Sequence, residues 1–129
     1  MDSLIKNGSR FGEGVSETFE HAILTAKDHL QHVHLGNCVM KDKADPYYGD
    51  RHPPIGYPSG EIFTRDLADI LRLLVDIGYL SKNNRGTLVI EARPLPGTSV
   101  EETINDQFQC LYQAWQLAGC RSSSEREEK

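Results

Sequence analysis

Apolar residues recur along this chain with two different spacings. From about Ser16 to His29 they fall at Phe19, Ala22, Ile23 and Ala26, with Leu30 continuing the row, the three-to-four step of one helical face. Ser16 stands before the run as an N-cap candidate, and Glu17 and Glu20 sit where the positive end of a helix dipole favours acids. The stretch HVHLG that follows alternates instead, so a strand there places Val33 and Leu35 on one face and His32 and His34 on the other. A second helical pattern begins near Thr64, a good N-cap, with Leu67, Ile70, Leu71, Leu74 and Ile77 as its stripe and Gly78 as its stop. TLVIEA, 87–92, reads as a buried strand with one carboxylate near its end. After PLPG, Ser99 and Glu102 form a capping-box pair for a third helix, whose expected core stripe is Ile104, Phe108, Leu111, Tyr112 and Trp115, with Gly119 closing it.

The connections complete the pattern. MDSLIK reads as a short opening strand followed by the turn-like NGSRFGEG, and the polar end 120–129, Cys120 followed by RSSSEREEK, is expected to be disordered. Between the histidine strand and the second helix lies NCVMKDKADPYYGDRHPPIGYPSGE, with prolines at 46, 53, 54 and 58. Loops beyond about 15 residues are uncommon in compact domains and often carry function. The resulting order, β-α-β-loop-α-β-α, predicts an α/β domain over 1–119 with a parallel sheet covered by helices. In such folds the reactive groups gather at the carboxyl ends of the strands. His34 and Glu91 fall at such ends, as does Asp2 if MDSLIK is a strand, and the long loop leaves from the same rim. An imidazole with two carboxylates is a mixed nitrogen and oxygen set that suits a divalent ion such as Mn²⁺, Mg²⁺, Co²⁺ or Zn²⁺. Lys41, Asp50, Arg51 and His52 on the loop, and Arg93 just past Glu91, are placed to reach a ligand on that rim, with His32 as a neighbouring group.

Composition narrows the partners. The chain has 129 residues and a formal net charge of −5, with no basic block, which argues against nucleic acid and anionic membranes. No apolar run approaches the roughly 18 residues of a membrane helix, and the N-terminus lacks a signal peptide's apolar centre. Cys38, Cys110 and Cys120 form an odd set without CxxC spacing, so a reducing, cytoplasmic setting with inert thiols is expected. Asn37, after Gly36, reads as a turn residue with left-handed backbone.

Four motifs in one order, HVHLGN, YYGDRHPPIGYPSGE, LADILRLLVDIGYL and TLVIEARPLPG, resemble the xylose isomerase-like TIM-barrel proteins. That family includes sugar isomerases and epimerases and a branch of DNA-repair endonucleases, and the loop resembles its sugar-phosphate side. The resemblance implies that His34 and Glu91 are metal ligands, that Glu91 is also a catalytic acid–base group, and that Asp2 is the aspartate ending the sixth strand. The family commonly has a histidine three residues after that aspartate; here the position is Ile5. His32, Lys41, Asp50, His52 and Arg93 become candidate contacts to a sugar or sugar phosphate. The chain would then be the last three or so units of a (β/α)8 barrel, incomplete by itself, needing self-association or a complementing N-terminal half. The implied activity is a metal-dependent isomerisation or epimerisation through an enediolate; the alternative is a non-catalytic barrel piece serving as scaffold. The acidic balance speaks against the endonuclease branch.

Overall fold

The computed structural model describes residues 19–84 and 86–119. The predicted opening strand with Asp2, the start of the first helix at Ser16, Cys120 and the polar end lie outside the described residues. Five elements follow in order: helix α1 Phe19–Ala26, extended by a single 3-10 turn Lys27–His29; strand β1 His32–Gly36; helix α2 Thr64–Asp76; strand β2 Thr87–Glu91; and helix α3 Val100–Leu117. The result is a mixed α/β unit with a two-stranded parallel sheet and three helices.

The strands pair in parallel with His32 opposite Thr87, His34 opposite Val89 and Gly36 opposite Glu91. Alternation turns Val33 and Leu35 into the core, and His32 and His34 outward, as the sequence predicts. A parallel pair needs a crossover, and α2 supplies it. Its Leu67, Ile70, Leu71 and Leu74 are all but fully buried beneath the sheet, joined by Ile55, Ile62 and Tyr79. The helix ends on Ile77, whose N–H donates to Leu73 O, and Gly78 follows at φ +82°. The cap itself lies one residue earlier than predicted. Phe63 is the N-cap and Thr64 the first helical residue, because the Asp66 carboxylate reaches back to accept from Phe63 N at 2.9 Å.

Tyr79 then fixes the approach to β2. Its hydroxyl accepts from Thr87 N at 3.0 Å and donates to Thr87 O at 2.5 Å, pinning the first residue of the strand. β2 is less buried than its apolar sequence predicts: Leu88 and Ile90 are half-buried and Val89 is exposed.

α3 starts where predicted, with Ser99 Oγ accepting from Glu102 N at 3.0 Å, but its buried face is turned by about one residue's step, roughly 100°, from the predicted stripe. Thr103, Gln107, Cys110 and Ala114 are buried against α2 and the loop, while Ile104, Phe108 and Tyr112 are 50%, 65% and 60% exposed. Leu111 and Trp115 are partly buried. The polar inward residues find partners. Gln107 accepts from Ile55 N at 3.0 Å and donates to Ile55 O, Thr103 donates to Ser99 O at 2.9 Å, and Cys110 Sγ lies 3.3 Å from Thr64 Oγ1. Because these groups are satisfied, burying them does not carry the usual desolvation penalty.

The long loop is ordered around Asn37. Its side chain is fully buried; Oδ1 accepts from Glu61 N and Ile62 N at 3.0 and 2.9 Å, and Nδ2 donates to Pro54 O at 2.9 Å. Asn37 is therefore a side-chain staple and not the left-handed turn residue the sequence predicts; among the described non-glycine residues only His52 has positive φ. Gly60 packs directly against this amide, and a Cβ there would stand 2.5 Å from Asn37 Nδ2. Further along, Gly49 N donates to Val39 O, and the Tyr57 hydroxyl bonds both oxygens of Asp45.

Candidate functional site

Strand parity builds the first half of the site. His32 and His34 of β1 and Thr87, Val89 and Glu91 of β2 share the outward face of the sheet. His32 Nδ1 lies 3.1 Å from Thr87 Oγ1, its direct neighbour. His34 is opposite Val89, so its imidazole reaches diagonally to the carboxyl end of β2, and Nδ1 sits 2.9 Å from Glu91 Oε1.

The loop supplies the second half. His52 lies over Gly36 at the end of β1, with Nδ1 3.2 Å from Glu91 Oε2 and Nε2 2.5 Å from Asp50 Oδ1. A Cβ on residue 36 would stand 2.8 Å from His52 Cδ2, so only glycine leaves room for the ring. His52 also holds the two carboxyl ends together through its backbone: its C=O accepts from Arg93 N at 2.8 Å. The outcome is a chain of four side chains, Asp50–His52–Glu91–His34, in which each Glu91 oxygen faces one imidazole.

Of the residues singled out in the sequence, His34, Glu91, His52 and Asp50 are brought together. His32 is spent on Thr87, Arg93 adjoins the cluster through its backbone bond to His52 and is exposed, Lys41 is exposed on the loop, and Asp2 lies outside the described residues. Gly36 and Asn37 carry positions in the site that sequence reading did not assign. The signal for Gly36 was a glycine ending a strand at a rim, a place where close backbone approach is common.

The surroundings are acidic. The Cys38 thiol, one residue past Asn37, is pushed up from its ordinary value by burial and then by the carboxylates of Glu61 and Asp50. Cys110 is likewise pushed up, first by burial, with Asp106 adding and the Thr64 contact opposing. Neither thiol is prepared as a nucleophile. Asp50 and Glu61 both act on Cys38 just past the end of β1, and Glu91 stands opposite Gly36 at that end.

The donor chemistry fits part of a divalent site. His34 and Glu91 side chains are 58% and 41% exposed and lie open on the sheet face. Among the described residues, no group of three or more His, Cys, Asp or Glu is arranged to hold a metal ion. His34 and Glu91 are two neighbouring donors of the kind a divalent ion takes, and a complete coordination set would need donors beyond these two.

What fold and site together define is a class: a parallel βα unit presenting an imidazole–carboxylate cluster at the carboxyl ends of its strands. No family model matches the chain, and no curated protein and no solved structure matches it. Among the described residues no helix is long and apolar enough to cross a membrane.

Proposed function

We propose that this chain carries the carboxyl-terminal site of a divalent-metal-dependent sugar or sugar-phosphate isomerase or epimerase of the xylose isomerase-like type, and that its units are the last three or so of a (β/α)8 barrel. The observation that carries this reading is the 2.9 Å contact between His34 and Glu91 across two parallel strands at their carboxyl ends. His34 and Glu91 would hold Mn²⁺, Mg²⁺, Co²⁺ or Zn²⁺, with Asp2 as a further ligand. Bound there, the ion would polarise the carbonyl of an open-chain sugar. Glu91 moves a proton between neighbouring carbons through an enediolate, as a carboxylate held at both oxygens within reach of the substrate face. Arg93, next to the cluster, and Lys41, exposed on the loop, would supply cations for a phosphate or donors for sugar hydroxyls. The free thiols Cys38 and Cys110 suit a reducing cytoplasm.

The test is Mn²⁺ binding by the full chain, measured by calorimetry, in the wild type and in Glu91→Gln. Saturable binding that weakens at least tenfold on the substitution supports the reading. No heat of binding at millimolar Mn²⁺, or equal affinity in the variant, refutes it.

A second reading has its own observation. Val100, Ile104, Phe108 and Tyr112 form an exposed row four residues apart along α3, beside the half-buried Leu88 and Ile90 of β2. Monomeric proteins rarely leave contiguous apolar patches above a few hundred Å² uncovered. A non-catalytic barrel piece that works with a partner explains this row, the partner being a chain that supplies further parallel βα units to the edge of β2 that pairs with no strand among the described residues. Light scattering separates the readings. A second species that forms only when such a chain is added, without Mn²⁺ uptake, favours the scaffold.

A further inference from the structure

We infer that His52 is a positioning residue for Glu91: it fixes the carboxylate of β2 from the loop, and Gly36 and Asp50 exist in the site to hold His52. The meaning of this for catalysis rests on the reading above, while the contact itself does not.

Four observations converge on His52. It has φ +52° in a non-glycine residue, a conformation the chain adopts only where surrounding contacts enforce it. Its ring is seated on the bare Cα of Gly36, with room for no side chain there. Its ring nitrogens face two carboxylates, Asp50 at 2.5 Å and Glu91 at 3.2 Å. Its backbone carbonyl is bonded to Arg93 N, two residues beyond Glu91, so the loop and the end of β2 are joined at backbone and side chain together.

The consequence for Glu91 is geometric. A glutamate has three rotatable side-chain bonds, and at 41% exposure water alone would not select one rotamer. His34 fixes Oε1 and His52 fixes Oε2, which sets both the position and the plane of the carboxylate. His34 reaches it from a strand, while His52 reaches it from a loop stapled by Asn37. When a ligand draws His34 away from Glu91, His52 remains to hold the carboxylate in place. Partners of this kind change metal affinity or activity by about 10- to 100-fold when removed.

The experiment uses the full chain in three variants, with two readouts. His52→Asn keeps a residue type that accepts positive φ but removes the imidazole; Gly36→Ala keeps His52 but displaces its ring; Asp50→Ala removes the outer support of that ring. The first readout is the ring ¹⁵N spectrum of His34, which reports Glu91 without any metal. The second is Mn²⁺ affinity. The expected result is a shifted His34 ring signal in His52→Asn and Gly36→Ala, a smaller shift of the same sense in Asp50→Ala, and unchanged backbone amide signals of α2 in all three. Mn²⁺ affinity falls about 10- to 100-fold in the first two variants. A purely structural role for His52 would disturb α2 and leave the His34 ring as it is. If His34 is unmoved in His52→Asn and Asp50→Ala, the inference is overturned, even when Mn²⁺ binds and depends on Glu91. If the wild type takes up no Mn²⁺, the metal reading is lost, and the His34 signal alone still decides whether His52 holds Glu91.

Discussion

Asn37→Ala removes the side chain that staples the site loop, and its effect can be worked out bond by bond. The amide oxygen accepts from Glu61 N, Ile62 N and Cys38 N, and the amide nitrogen donates to Pro54 O and, at 3.4 Å, weakly to Ile62 O. Not every partner is orphaned when the amide goes. Glu61 N also donates to Cys38 O, Pro54 O also accepts from Tyr57 N, and Ile62 O also accepts from Gly56 N. Ile62 N and Cys38 N have no second partner among the described residues, and of these two residues Ile62 is buried and Cys38 half-buried. One buried orphan costs about 1–3 kcal/mol, and the lost bonds to groups that keep another partner cost about 0.5–1.5 kcal/mol each. The expected destabilisation is at least about 3 kcal/mol, a large share of the roughly 5–15 kcal/mol that holds a domain together. Urea unfolding followed by the fluorescence of Trp115, the single tryptophan, measures it as a fall in midpoint at constant slope. Gly60→Ala supplies the control. Its new Cβ would lie 2.5 Å from Asn37 Nδ2, so it destabilises alone by about 1–3 kcal/mol. The double variant then loses less than the two singles together, because removing the amide opens the space the methyl needs. A loss below about 1 kcal/mol for Asn37→Ala, or strict additivity in the double variant, refutes the staple.

Two further predictions use other parts of the molecule. Cys38 and Cys110 both have folded-state values raised above the ordinary 9.0, so the native chain holds those protons where the unfolded chain releases them. Their contribution is complete below pH 9 and is lost as pH rises above it; stability measured by urea at pH 7, 9 and 10 declines at the alkaline end, less steeply in Cys38→Ala, and a flat profile counts against the shift. Phe108→Glu places a charge on a residue that is 65% exposed, so unfolding free energy stays within about 0.5 kcal/mol while any association through α3 is abolished; a loss above about 1 kcal/mol means the ring is covered in solution.

The parts of the fold that sequence revealed are those decided by local rules. α2 was legible apart from its cap, which falls on Phe63 and not Thr64, because its stripe has an unbroken three-to-four step and a glycine at its stop. The His34–Glu91 meeting was legible because strand alternation fixes the face and the parallel crossover fixes which ends adjoin. α3 shows where such rules stop. Its limits were readable from Ser99, but periodicity says only that two faces differ. The inward face was chosen by Gln107 bonding Ile55 in the loop and Cys110 meeting Thr64, contacts at separations of 52 and 46 residues. His52 was visible as a residue near the rim, yet its seat on Gly36 depends on a left-handed backbone that no local pattern in DRHPP announces.

The cluster contributes little to stability, which bears on why it is there. His34 and Glu91 are more than a third exposed, so their contact is screened and is worth about 0–1 kcal/mol. Asp50 is 89% exposed and adds no more to its bond with His52. Against this stands the left-handed backbone of His52, which costs about 1–2 kcal/mol in a residue with a Cβ. Asparagine pays less in that conformation than other side chains, so His52→Asn should leave the unfolding free energy within about 0.5 kcal/mol of the wild type, or raise it. A strained residue whose side-chain contacts add little stability, set against an exposed carboxylate, is what the proposed role of His52 at Glu91 calls for. A His52→Asn chain destabilised by 2 kcal/mol or more would place His52 among the ordinary supports of the fold and remove this argument for its role.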